Sequence, residues 1–253
     1  MTLEEAIQAA NNGDATAALA VADYYYGDGK DPDKEEAALP WYEKAGNGGN
    51  LKGAVVAMLI HSSDAEAYMM MNSYDNALNS WQAVSRWAIA AMDHSDANLK
   101  TKMLSVEKYN YAVFQMGVCL NEQGDPAAAI SILRHADTTD VKSQLLLGIC
   151  LVKEKQDDSA FPLLTLVKTA SSYRETVGRA SMDEQLTFAN ASIVLSRFYR
   201  DGSVVGQKDY DEAVNILLMA KQIFAANSNI TSALQKELSH YQKKLFGGYN
   251  YVG

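Results

Sequence analysis

Two cysteines, four prolines and no long apolar run in 253 residues remove several classes of protein at once. The cysteines are too few for a small disulfide-held scaffold and have no CxxC spacing. Scarce proline leaves helices uninterrupted, and abundant alanine and leucine suit a helical globular chain. No stretch reaches the roughly 20 apolar residues that a membrane-spanning helix needs. HExxH, Gly-x-Ser-x-Gly and GxxxxGK[ST] patterns are also missing, so nothing points to metal, nucleophilic or phosphate-cradling chemistry. No enzyme activity and no cofactor is expected.

Positive charge is in short supply too. There are 22 lysines and arginines against 31 acids, a net charge of -9, which argues against nucleic acid or an anionic membrane as partner. The imbalance is local: residues 1–60 carry ten acids and four bases, whereas 221–253 carry four lysines and one glutamate. Two solvated ends account for this; a weak, salt-sensitive head-to-tail self-association would also suit it. The opening Thr2-Leu3-Glu4-Glu5 is acidic and lacks the cationic-then-apolar order of a secretory signal, so the expectation is cytoplasmic. His61, His94, His135 and His240 lie far apart without carboxylates at helical spacing and read as surface or packing residues. Asp28, Asp31, Asp33, Glu35 and Glu36 crowd one turn, but without calcium-loop spacing; acids at a helix start are the better account.

What the chain does have is internal repetition. Tyr24, Gly27, Ala38 and Ala45 are spaced by 3, 11 and 7 residues, and Tyr199, Gly202, Ala213 and Ala220 repeat those intervals. Between them Gly117, Leu120, Ala129 and Leu133 return 31 residues later as Gly148, Leu151, Ala160 and Leu164. Such periods mark stacked supersecondary units. Cys119 and Cys150 occupy equivalent places in successive units, where neighbouring helices sit about 8–10 Å apart, so buried free thiols are expected rather than a bridge.

Helix signals fill in the units. A capping box at Thr2 and Glu5 opens a short helix over Glu4–Asn11 that resembles the second helix of a truncated pair. Helices follow over Ala15–Tyr26, Lys34–Ala45, Leu51–Met71 and Tyr74–Met92, with Pro40 placed near a helix start and Tyr24 and Trp41 filling the first seam. A long run to Glu122 is expected to divide near Lys108–Asn110. Ala127–His135, Ser143–Lys153, Ser159–Lys168, Asp183–Arg200 and Asp209–Phe224 complete the pairs, with a polar loop over Thr176–Met182. Ile230, Leu234, Leu238, Tyr241 and Leu245 form one stripe on a final helix ended by Gly247-Gly248. No strand is expected.

The unit Tyr24-x-x-Gly27-x-Gly29, with Asp33, Ala38, Trp41-Tyr42, Ala45 and Gly49-Asn50, resembles the Sel-one-like variant of the tetratricopeptide repeat, as does Leu195-Ser196-x-x-Tyr199-x-x-Gly202 with Ala213 and Ala220. Met116-Gly117, Leu120, Ala129, Leu133 and Ala136, then Leu147-Gly148, Leu151, Ala160 and Leu164, resemble plain tetratricopeptide repeats. Val21 and Asp64 depart from the family pattern. The resemblance implies an all-α, right-handed α-solenoid of about five stacked antiparallel helix pairs. The expected organisation is one domain over 1–253: a partial unit at 1–13, repeats over 14–225, a capping helix over 226–246 and a tail over 247–253.

By the same resemblance the first helix of each pair lines a concave groove. The positions that would face it are Tyr25, Tyr26, Glu66, Met69, Met70, Phe114, Asn121, Glu122, Lys142, Lys153, Asn190, Arg197 and Arg200. Tyrosine and arginine are good anchors and methionine adapts, although at this spacing methionines and tyrosines also serve as core. The family's clamp for a C-terminal carboxylate is expected to be absent, since Phe114, Leu145 and Ile149 stand where polar residues would be needed beside Lys142. The leading expectation is a non-enzymatic scaffold or adaptor for a peptide or protein partner. The alternative is a regulatory domain binding a small molecule or nucleotide in a pocket near Trp41, Trp81 and Trp87.

Overall fold

The computed structural model describes residues 1–27, 32–138, 140–156, 158–161, 182–203, 206–244 and 247–253. The predicted turn at 28–31 with its Asp28 and Asp31, most of the helix over 159–168, the loop at 176–181 and Leu245 lie outside them. The chain divides into two compact units, Met1–Gln123 and Gly124–Gly253.

The first unit contains α1 (Leu3–Asn11), α2 (Ala15–Tyr26), α3 (Pro32–Asn47), α4 (Leu51–Met70), α5 (Tyr74–Asp93) and α6 (Leu99–Glu122). Side-chain oxygens set most of the starts. Thr2 and Glu5 make the expected capping box, and Asp14, Asn50 and Asn98 accept bonds from the orphan N–H groups of α2, α4 and α6. Each helix packs on the next in sequence. Contacts across alternate helices then sort them into two layers. Lys52 Nζ reaches Asp23 at 2.7 Å, joining α4 to α2; Lys108 Nζ donates to Ser62 Oγ at 3.0 Å and the Cys119 thiol lies 3.4 Å from Met69 Sδ, joining α6 to α4. On the other side Lys44 Nζ donates to Asn11 Oδ1 at 2.7 Å and Arg86 to Glu43 at 3.2 Å, so α1, α3 and α5 form the second layer.

Small residues let the layers close. A Cβ at Gly53 would lie 2.7 Å from the Gly46 nitrogen, and one at Gly46 would lie 2.6 Å from the Trp87 ring. Trp81 and Trp87 are 0% and 2% exposed, with Ala77, Val84 and Ala88 beside them. Three local expectations need correction. Tyr24 is 66% exposed, and Tyr42 fills the seam instead, because α2 is apolar around most of its circumference and its inward face is chosen by the neighbours. Trp41 does pack inward, against Ala10, Ala17, Ala18 and Ala45. Pro40 stands well inside α3, which begins at Pro32, and α6 runs unbroken through Lys108–Asn110, since that segment holds no helix breaker.

The second unit comprises α7 (Pro126–Leu133), α8 (Val141–Lys153), a helical turn over 158–161, α9 (Met182–Asp201), α10 (Tyr210–Ile223) and α11 (Ser228–Leu238). α8 packs on α7 and α9, while α10 packs on α9 and α11. Leu145, Leu195, Leu217, Ile230 and Leu234 are fully buried. Neither Cys119 nor Cys150 forms a disulfide and both are buried, as their positions predicted.

The C-terminal helix is shorter than its stripe implied. α11 stops at Leu238, and Tyr241–Lys243 (β1) pairs antiparallel with Tyr249–Tyr251 (β2), with Tyr241 opposite Tyr251. Gly247 and Gly248, at φ 95° and 76°, turn the chain back where a side chain would be strained. Tyrosines favour a pleated pair, and Tyr249 N–H donates to Asp211 Oδ1 at 2.7 Å, tying the hairpin to α10. The apolar period alone could not distinguish this strand from two further helical turns.

Candidate functional site

In the first unit the predicted positions lie on α2, α4 and α6, which the cross-contacts place side by side. Tyr25 and Tyr26 are half-buried. Tyr25 meets Tyr24 edge-on at 5.7 Å, and Tyr26 meets Tyr42 at 5.6 Å. Burial, helped by the Glu35 carboxylate, raises the Tyr26 phenol above its usual value. Burial raises Tyr42 as well, and its hydroxyl donates to Asp23 at 2.8 Å.

The methionines divide. Met69 turns inward to the Cys119 thiol, whereas Met70 is 86% exposed and Met71, beyond the helix end, 72%. Phe114 and Asn121 are half-buried, and Glu66 and Glu122 are exposed. Gln123 Nε2 donates to Asp75 Oδ1 at 2.7 Å, which brings the start of α5 to the end of α6. Met71 belongs to the methionine run that the sequence offered as adaptable contact, whereas Asp75 escaped the sequence reading because it lies outside the repeat's groove positions. The absence of any base from 62–76 was the available signal.

In the second unit Lys142 is half-buried at the start of α8, Lys153 is exposed at its end, and Asn190 is exposed on α9. Arg197 and Arg200 are already engaged within the chain. Arg197 grips the buried Glu237 of α11 with two bonds of 3.0 and 2.8 Å. Arg200 binds Asp201 at 2.7 and 2.8 Å, approaches Glu237 at 3.6 Å and lies 4.8 Å over the Tyr251 ring. Burial opposes ionisation of Glu237, but its two arginines outweigh that and hold its pKa below the ordinary value. Glu237 could not be identified beforehand, since nothing in a helical stripe says which arginine, 40 residues earlier, will face it.

A further polar cluster joins α3, α4 and α5. Glu43 accepts from His61 Nε2 at 2.9 Å and from Arg86 at 3.2 Å, and the Arg86 guanidinium lies 4.6 Å over Trp87. The His61 bond, with Arg86 adding to it, lowers the Glu43 pKa despite partial burial. This pairing spans 18 residues and two helices, so no local spacing announced it. The three tryptophans named for a small-molecule pocket are packing residues: Trp81 and Trp87 are core, and Trp41 covers the alanine cluster. A cleft of about 540 Å³ lies elsewhere, lined by Gln185, Ile223, Phe224 and Asn227. No described helix is long and apolar enough to cross a membrane.

Antiparallel helices that each pack on the next and sort into two layers, as in the first unit, are the architecture of helical-repeat proteins. The family model of the tetratricopeptide repeat matches residues 111–135, the stretch that carries Met116-Gly117, Leu120, Ala129 and Leu133. Over that stretch the chain is similar to the tetratricopeptide repeat, and its described helices stack in pairs of the tetratricopeptide-like, all-α kind. Among solved structures, YrrB, a tetratricopeptide protein with an unusual peptide-binding site, is 16% identical at a TM-score of 0.49, over 93% of this chain and 98% of that one. No curated protein matches the sequence significantly.

Proposed function

We propose that this protein is a non-enzymatic scaffold that holds a peptide or protein segment against the first helices of its pairs. One observation carries the reading. Among the described helices of the first unit, the exposed large apolar side chains concentrate on α2, α4 and α6: Tyr24, Leu59, Met70, Met103, Val106 and Tyr111, with Leu99. The other layer exposes only Ile89 among the described residues. Water-facing residues of this size, gathered on one layer, fit a contact surface better than scattered exposure does. Binding would use Tyr25, Tyr26, Met70 and Phe114 as adaptable or aromatic contacts, with Glu66, Asn121 and Glu122 selecting among partners. In the second unit, taken by itself, Lys142, Lys153 and Asn190 would be the candidate contacts. Arg197 and Arg200 would contribute only by giving up their bonds to Glu237 and Asp201.

Quantitative affinity capture from the source cell tests this. Tyr25→Ala with Met70→Ser is expected to lower recovery of at least one partner about fivefold, whereas Ile89→Ser leaves recovery unchanged. Equal recovery of every partner by the wild type and the Tyr25/Met70 variant would refute the reading.

A further inference from the structure

The end of the first unit has a composition that selects the sign of its partner. The Met69–Cys119 contact at 3.4 Å and the Gln123–Asp75 bond at 2.7 Å bring together the last turn of α4, the α4–α5 turn and the last turn of α6. Asn72, at φ 55°, makes that turn and leaves Met70 and Met71 facing solvent. Glu66 is one helical turn before Met70, Asp75 follows the turn, and Glu122 follows Cys119 by three residues; all three are exposed. Segments 62–76 and 115–123 contain Asp64, Glu66, Asp75 and Glu122 and neither lysine nor arginine. A nearby cation on these helices, Lys108, is bound to Ser62, about 12 Å along the α4 axis from Met70. The surrounding unit reinforces the field: residues 1–123 hold 17 acids and 8 bases, while 124–253 hold 14 of each.

We infer that this tip is a docking surface for a basic amphipathic segment, one that places apolar side chains on Met70 and Met71 and lysines or arginines beside Glu66, Asp75 and Glu122. The inference rests on the scaffold reading and specifies its partner. Unbranched thioethers reshape to varied apolar surfaces at little cost, so they tolerate sequence variation in a ligand. The carboxylates around them supply the selection: they speed encounter with a cation and penalise an acidic segment. An amphipathic helix presenting both chemistries on adjacent faces matches this arrangement.

A synthetic helical peptide of leucine and lysine is the probe, and its leucine–glutamate counterpart is the control. Fluorescence anisotropy should show binding of the lysine peptide alone, weakening as salt rises. Labelled methionine methyl resonances should shift at Met70 and Met71. Glu66→Gln with Glu122→Gln, and separately Met70→Ser with Met71→Ser, should each weaken binding about tenfold. Glu4→Gln with Glu5→Gln removes the same charge from exposed sites on α1 and should change affinity less than about twofold. Absence of binding, equal binding of the acidic peptide, equal weakening by the α1 variant, or unmoved Met70 and Met71 methyls would each overturn the inference. If cellular partners nevertheless depend on Tyr25 and Met70, the scaffold reading stands and only the partner's charge is wrong.

Discussion

Replacing Gly53 with alanine should destabilise the first unit, although helix propensity by itself predicts a gain of up to about 1 kcal/mol. The added methyl would lie 2.7 Å from the Gly46 nitrogen, 2.8 Å from Ala45 Cβ and 2.9 Å from the Tyr42 carbonyl oxygen. Two of these atoms are backbone within α3, so no rotamer change relieves the contact. α4 must instead retreat by roughly 0.6 Å to reach normal separations. Overpacking of this kind costs about 1–3 kcal/mol, so with the propensity gain subtracted the net loss centres on about 1 kcal/mol. Tryptophan fluorescence during urea unfolding is the suitable assay. Trp41, Trp81 and Trp87 all lie in Met1–Gln123, and Trp87 packs on Gly46 beside the displaced helix. The fluorescence midpoint should fall by about 1 M. A midpoint that holds or rises would show that α3 and α4 are not in the close contact described.

Two further outcomes follow from burial and charge. Glu237→Gln should speed hydrogen exchange in α11 roughly tenfold to thirtyfold, about 1.5–2 kcal/mol. This is less than a fully buried pair would give, because the Arg197 side chain is 49% exposed. Since folding lowers the Glu237 pKa, the same stabilisation is present above the ordinary value of 4.5 and is lost as pH falls through the lower folded value. Exchange in α11 that is indifferent both to this substitution and to acidification below about pH 4 would refute the ion pair. Burial pushes the Cys119 and Cys150 thiols up to about 11, so alkylation at pH 8 should label neither until denaturant is added. Prompt native labelling would contradict their burial.

Much of the fold was legible because its signals are local. Asp14, Asn50 and Asn98 cap helices through bonds two or three residues away, and glycine, asparagine and proline punctuate the gaps. Ala77, Trp81 and Val84 recur at helical spacing and are all buried. The candidate surface was legible only as positions on first helices. Its methionine run could have been core or surface, and the structure sends Met69 one way and Met70 the other.

Sequence alone determined that the chain forms repeated α-hairpins, where most of them begin and end, and that its two cysteines form no disulfide, since capping, periodicity and repeat spacing act over a few residues. Tertiary structure decided which face of α2 turns inward, that Glu43 meets His61 and Arg86, and that Glu237 engages Arg197 and Arg200. It also decided that Tyr241 enters a strand rather than extending a helix. Those outcomes depend on which distant side chains desolvate one another, and a one-dimensional pattern does not encode that distance.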